Sequence, residues 1–222
     1  MVYPKQVYKE SRLKADRIQI IEASIFGDRC MTDNRIHDHL LASADVKTKA
    51  ASACADSAAA VAGIIADSFR DGGKLMLCGN GGSAGDAQHI AAEFVATLDH
   101  NRPRPGLPAL ALTTDSSFLT AYSNDFGYDG IFARQVETLG QAGDVLIGIS
   151  TSGNSKNVCR AVEAAKEKGI TTIAMTGQSG GALAALADHL LAVPASDTPL
   201  IQETHIALGH AITAEVEILL GY

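Results

Sequence analysis

His89 and Glu93 stand four residues apart in the stretch Leu75 to Phe94, LMLCGNGGSAGDAQHIAAEF. On a helix that spacing sends an imidazole and a carboxylate off the same face. Just upstream, Gly79-Asn80-Gly81-Gly82-Ser83 supplies a freely turning backbone with uncovered amides. That is the raw material of an anion cradle at a helix N-terminus. An imidazole and a carboxylate behind such a cradle suit a metal site or an acid–base pair, although a solvated i,i+4 pair is the commoner use of this spacing. A second loop, Ser150-Thr151-Ser152-Gly153-Asn154-Ser155, carries four hydroxyls in six residues directly after an apolar run. Hydroxyls and amides at the start of a helix hold phosphate without the cost of burying a lysine. Neither loop reads GxxxxGK[ST], and no GxGxxG opens the first strand–helix turn, so the P-loop and dinucleotide fingerprints are absent. Near the C-terminus, Gln202, Glu203, His205 and His210 share one predicted helix. Gln202 and His210 are separated by roughly 12 Å of helical rise. They reach one centre only by leaning together, or with Gln202 in a frayed first turn. His205 is the rival to His210, and a lone helical histidine is more often structural.

The elements that must place these groups are legible as apolar runs and periodic segments. Leu75-Met76-Leu77-Cys78 reads as a strand buried on both faces, and Ser83, a good N-cap type, opens the helix that follows. Further strands are predicted at Pro108–Leu112, Val145–Ile149, Ile170–Met175 and His189–Val193. Helices are predicted over Asn34–Leu41, Asp45–Phe69, Ser116–Ser123, Ile131–Leu139, Lys156–Lys168, Gly181–Ala187 and Ile201–Leu220, with Asp71-Gly72-Gly73 closing the second. Strands alternating with helices at this spacing predict an α/β fold, a doubly wound, five-stranded parallel sheet flanked by helices, with further helices N-terminal to it. In such a sheet ligands sit at the carboxyl ends of the strands, where both polar loops fall.

Composition narrows the partners. The 222 residues suit one α/β domain with a full core. The net charge is −7 and no run of Lys or Arg occurs, so nucleic acid is not an expected partner. A phosphorylated substrate must be attracted locally, by amides, hydroxyls and helix dipoles. The cysteines Cys30, Cys54, Cys78 and Cys159 form no CxxC and read as free thiols. The charged N-terminus has no apolar core of a secretory signal, and no run approaches a membrane span. A cytoplasmic location is expected. Residues 1–30 read as an N-terminal extension of unknown role, with an amphipathic helix over Val7 to Phe26. A fresh N-cap pattern begins at Thr32-Asp33-Asn34, and 31–222 reads as a single domain.

Several segments together carry a family likeness: CGNGGSAGDAQHIAAEF (78–94), ALTTD (111–115), SNDFGYD (123–129), GDVLIGISTSGNSKNV (143–158), AMTGQSGG (174–181) and VPASDTPLIQETHIALGH (193–210). They closely resemble the sedoheptulose 7-phosphate isomerases, also called phosphoheptose isomerases, of the sugar isomerase (SIS) fold, in order and from about Asn34 to the C-terminus. The resemblance implies conversion of D-sedoheptulose 7-phosphate to D-glycero-D-manno-heptose 7-phosphate through a cis-enediol, the first step toward heptose precursors of lipopolysaccharide core or related glycans. It implies that Ser83, Ser150, Thr151, Ser152 and Ser155, with the Gly81 and Gly82 amides, hold the phosphate. Asn80, Asn124, Asp125, Glu93, Gln202 and Asp197 or Thr198 would contact the sugar. Glu93 and His210 would be the acid–base pair, and His89, Glu93, Gln202 and His210 would correspond to a zinc site, one Zn2+ per subunit. A homotetramer with active sites at subunit boundaries is also implied, in which a neighbouring chain can supply ligands.

Two other classes share the scaffold. SIS-fold proteins such as the one that docks on the replication initiator DnaA bind a partner and catalyse nothing, having lost the equivalents of Glu93 and His210; this chain keeps both. An isomerase of another sugar phosphate, or a sugar-phosphate sensor, is the remaining alternative, against which the 202–210 segment argues.

Overall fold

The structure, a computed structural model, describes residues 34–222. The expectations for residues 1–30, including the Val7 to Phe26 helix, lie outside the described residues. Leu40–Tyr222 make one compact unit.

Five strands, β1 (Leu75–Gly79), β2 (Ala109–Ala111), β3 (Val145–Ile149), β4 (Thr171–Gly177) and β5 (His189–Val193), pair in parallel in the order β2-β1-β3-β4-β5. The expected doubly wound sheet is therefore present. All residues of β1 and β3 are buried, as uninterrupted apolar runs require of strands covered on both sides. Successive side chains alternate between two cores. Leu75, Leu77, Val145, Ile147, Ile173 and Met175 face one layer; Met76, Cys78, Leu146 and Ala174 face the other. The first layer is formed by α2 (Ala55–Arg70), α3 (Gly82–Val95) and α8 (Thr198–Leu219). The second is formed mainly by α5 (Ile131–Leu139) and α6 (Lys156–Glu167). Between them in the chain lie α4 (Ser116–Phe126), followed by a 3-10 turn at Tyr128–Gly130, and the short α7 (Leu183–Leu186).

The first helix differs from expectation. The chain does not break at 42–44; α1 runs through Arg35–Ala53, α2 starts at Ala55, and the two bend by 68° around Cys54. No glycine or proline marks this bend. Cys54 is 2% exposed and its thiol donates to the Ala192 carbonyl at 3.5 Å, so packing against β5 sets the turn. An alanine-rich stretch has too little phase in its hydrophobic pattern to show that from sequence. Asn34, by contrast, caps α1 as its residue type predicts, accepting from the His37 amide at 3.2 Å. Gly72 ends α2 with φ +81. No single helix among the described residues is long and apolar enough to cross a membrane.

Candidate active site

Helices α3 and α8 lie far apart in sequence and touch in space. A methyl group on Gly209 would come within 2.7 Å of Ile90 Cδ1, so the missing side chain is what allows α8 this close to α3. The next residue, His210, is thereby set beside α3, its ring centroid 4.9 Å from that of His89. His89 Nε2 lies 3.1 Å from Glu93 Oε1 and 3.1 Å from His210 Nε2. One ligand atom from each of His89, Glu93 and His210 falls within 4.8 Å of the others. Two imidazole nitrogens facing each other need a proton or a cation between them, because two lone pairs repel. Two nitrogens and a carboxylate oxygen converging in this way fit Zn2+. All three side chains of the cluster belong to one chain.

The polar loops occupy the carboxyl ends of β1 and β3, adjacent strands where the sheet order reverses. Gly81 takes φ +56 and serves as the N-cap residue of α3. Ser83 is therefore not the cap that its type suggests; it lies within the first turn and is 3% exposed. Across the gap between the loops, Asn80 and Asn157 exchange paired amide hydrogen bonds of 2.9 and 2.8 Å, and the Tyr128 hydroxyl donates to Asn80 Oδ1 at 2.8 Å. In the second loop Ser150 Oγ and Ser155 Oγ are 3.0 Å apart. The Thr151 carbonyl accepts from Gly177, and Ser152 Oγ accepts from the Asn154 amide at 3.2 Å. Gly153, φ +69, packs on the Gly180 carbonyl so tightly that a Cβ would lie 2.0 Å from it. The paired hydroxyls of Ser150 and Ser155 and the N-termini of α3 and α6 thus lie at one end of the sheet.

Other expected residues are placed as follows. The Gln202 carboxamide lies against Gly82, where a Cβ would be 2.7 Å from both of its polar atoms; it rests on the first turn of α3. Asn124 and Asp125 are exposed in the last turn of α4, the Asn124 amide donating to Asp125 at 2.8 Å. Asp197 is the N-cap residue of α8 and Thr198 its first residue, both exposed. His205 loses to its rival: it is 0% exposed and its Nε2 faces the Thr176 carbonyl at 3.1 Å. Burial pushes it down to about 4, so it is a neutral imidazole that donates to the end of β4. Cys78 is an inert core thiol, pushed up to about 12 by burial.

Three residues near these groups escaped the sequence reading. Asn157 is 3% exposed on the same face of α6 as Val158, Ala161 and Ala165; a polar residue at a core-facing helical position was its available signal. Tyr128 follows the loop after α4 and had none. Asp86, three residues before His89, has Oδ2 buried without a hydrogen-bond partner, and burial pushes its carboxyl up to about 6, against the pull of His89. A carboxyl raised in the folded state binds its proton more tightly there than in the unfolded chain. Folding stability therefore falls as pH rises from about 4 to about 6, and the penalty is complete above that. Asp86→Asn is expected to raise Tm at pH 8 by about 4 °C, corresponding to about 1–2 kcal/mol after discounting partial solvent screening. The gain should vanish below about pH 4; calorimetry at both pH values checks it, and an equal shift at each would refute the cause given.

Comparisons with known proteins bear on the fold and the family. The family model described as SIS domain matches residues 40–177. A phosphoheptose isomerase of Roseiflexus sp. (strain RS-1) is 53% identical over 180 residues, 81% of this chain and 90% of that protein. One from Nitratidesulfovibrio vulgaris (strain DSM 19637 / Miyazaki F) is 52% identical over 185 residues, 82% of this chain and 88% of that protein. The solved phosphoheptose isomerase of Neisseria gonorrhoeae superposes with a TM-score of 0.78 at 45% identity, covering 83% of this chain and 97% of its own. That of Francisella tularensis gives 0.80 at 36% identity with the same coverage, 83% and 97%.

Proposed function

The chain belongs to the phosphoheptose isomerases of the SIS-domain fold, and from that premise we propose that Glu93 and His210 perform its chemistry on a sugar held by the two polar loops. The reaction is the interconversion of D-sedoheptulose 7-phosphate and D-glycero-D-manno-heptose 7-phosphate, an aldose–ketose isomerisation. The observation that carries the assignment of residues is the meeting of His89, Glu93 and His210 from two separate helices. A scaffold that only binds a partner has no use for that convergence.

The phosphate is held by Ser83, Ser150, Thr151, Ser152 and Ser155 and by the amides of Gly81 and Gly82. From Gly82 to His89 the helix rises roughly 10 Å, which separates the phosphate end of an extended heptose from its carbonyl end. Asn80, oriented by Asn157 and Tyr128, contacts the sugar, as do Gln202, Asn124, Asp125 and the Asp197–Thr198 turn. Glu93 takes the proton from C1 of the ketose, giving a cis-enediol, and returns it to C2. His210 gives a proton to the C2 oxygen and removes one from the C1 oxygen, so that no net proton is gained or lost. His89, Glu93, Gln202 and His210 would hold Zn2+, which when bound polarises the carbonyl and lowers the cost of the enediolate. A side chain that is both ligand and base must be held by one oxygen only, leaving the other for the substrate.

We place the catalytic unit at 31–222, in the cytoplasm, where its phosphorylated product feeds heptose precursors of lipopolysaccharide core or related glycans. A homotetramer is proposed from the apolar groove of about 440 Å³ that Ala50, Ala51, Ala58, Ala59, Ala207 and Leu208 line between α1, α2 and α8; a second copy of the chain would cover it. Incubation of the pure protein with sedoheptulose 7-phosphate, followed by NMR, should show the aldose, with turnover suppressed at least 10-fold by a chelator and restored by Zn2+. Sedimentation should give a four-subunit mass. Absence of aldose under all conditions would refute the activity, and full turnover in chelator would refute the metal.

A further inference from the structure

Arg104 is buried at the far end of the two helices that carry the cluster. Its side chain is 0% exposed and that of Glu217, its ion-pair partner, 5%. Nε donates to Glu217 Oε1 at 2.6 Å, Nη2 to the Glu93 carbonyl at 2.8 Å, and Nη1 to the carbonyls of Phe94 at 2.8 Å and Pro105 at 3.0 Å. Glu93 and Phe94 are in the last turn of α3, whose carbonyls have no partner within the helix. The guanidinium supplies one. Glu217 stands on α8 seven residues after His210, two turns on and therefore on the same face. A single planar group thus joins the main chain of Glu93 to the helix that presents His210.

Stability alone does not account for the arrangement. Replacing a buried ion pair by apolar side chains of similar volume is often neutral or stabilising, and Arg104 bonds the main chain of Phe94, a member of the apolar core. A rigid fork is suited to fixing geometry. We propose that Arg104 and Glu217 are positioning residues of the isomerase, a clamp that sets the spacing of α3 against α8 and so the placement of Glu93 relative to His210. The proposal rests on the acid–base assignment made above. The clamp touches no phosphate-binding hydroxyl, so loosening it affects the chemical step and leaves substrate binding in place. Misplacing a reacting group by about 1 Å costs up to about 100-fold in rate.

The test uses three variants of the full chain: Arg104→Lys, which keeps the charge and loses the fork; Glu217→Gln, which keeps shape and an acceptor; and the apolar pair Arg104→Met with Glu217→Leu. Each is compared with wild type in kcat and KM for sedoheptulose 7-phosphate, per folded subunit, and in Tm. The expected result is a kcat lower by about 30-fold in Arg104→Lys and in the apolar pair, about 5-fold in Glu217→Gln, with KM within about twofold throughout. The apolar pair should keep a Tm near that of wild type, and it decides the matter should Arg104→Lys fail to fold. A folded apolar pair or Glu217→Gln variant with wild-type kcat, or a loss expressed only in KM, overturns the clamp. Glu93→Gln run alongside separates the two readings: inactive Glu93→Gln with fully active clamp variants removes the clamp alone, and active Glu93→Gln removes the acid–base assignment itself.

Discussion

Glu93→Gln should lower kcat at least 1,000-fold, about 4 kcal/mol of transition-state stabilisation, while KM for sedoheptulose 7-phosphate changes less than threefold. The carboxamide has nearly the shape of the carboxylate and keeps one oxygen toward His89, now 3.1 Å from Glu93 Oε1, so the helix and its neighbours need not move. What disappears is the carboxylate, which on the proposed assignment both accepts the proton from carbon and supplies the anionic ligand of the metal site. On that assignment the phosphate is held elsewhere, at the hydroxyl loop after β3 and the first turn of α3, so binding should survive. Steady-state kinetics with titration calorimetry of the inactive variant separate the two quantities. Turnover within tenfold of wild type would take Glu93 out of the mechanism.

The second large effect is expected at Gly153. Its φ of +69 already disfavours any L side chain, and a Cβ there would lie 2.0 Å from the Gly180 carbonyl and 2.5 Å from its carbon. Those atoms belong to backbone that cannot swing aside. Gly153→Ala must therefore push the Ser150–Ser155 loop away from the Gly180–Gly181 turn, and the hydroxyls proposed to hold phosphate would be displaced. KM should rise about 100-fold, a loss of about 3 kcal/mol in binding, with a further fall in Tm. Gly72 supplies the control. Its φ is +81, yet nothing lies within 4 Å of the position a Cβ would take. Gly72→Ala carries only the left-handed backbone penalty, about 1–2 kcal/mol, seen as a lower Tm with KM unchanged. Equal KM values for the two variants would show that the loop's contact with Gly180 does not shape the phosphate site.

The parts of this molecule legible in the sequence are those in which one residue reports on its own surroundings. Val145-Leu146-Ile147-Gly148-Ile149 is an apolar run because both of its faces are covered, and the run is visible without the cover. The i,i+4 spacing of His89 and Glu93 survives into the structure because helix geometry is local. Features set by distant contacts were hidden. Nothing near Cys54 shows that β5 will bend the chain there. Ser83 has the chemistry of a cap, but Gly81 can take φ +56 and starts the helix earlier. Arg104 looks like one charge in a proline loop until α3 and α8 close around it. His205 and His210 are alike in sequence and differ only in which neighbour each meets, a β4 carbonyl or His89. The doubly wound sheet was readable for the first reason, and the convergence of the cluster within one chain was not, for the second.

The most direct measurement of the central claim is deuterium wash-in from D2O to C1 of sedoheptulose 7-phosphate, followed by NMR with wild type and with Glu93→Gln. If the Glu93 carboxylate removes the C1 proton and His210 serves the oxygens, wild type exchanges that position with solvent during turnover and Glu93→Gln leaves it fully protonated. Exchange at C1 by Glu93→Gln at the wild-type rate would contradict the account.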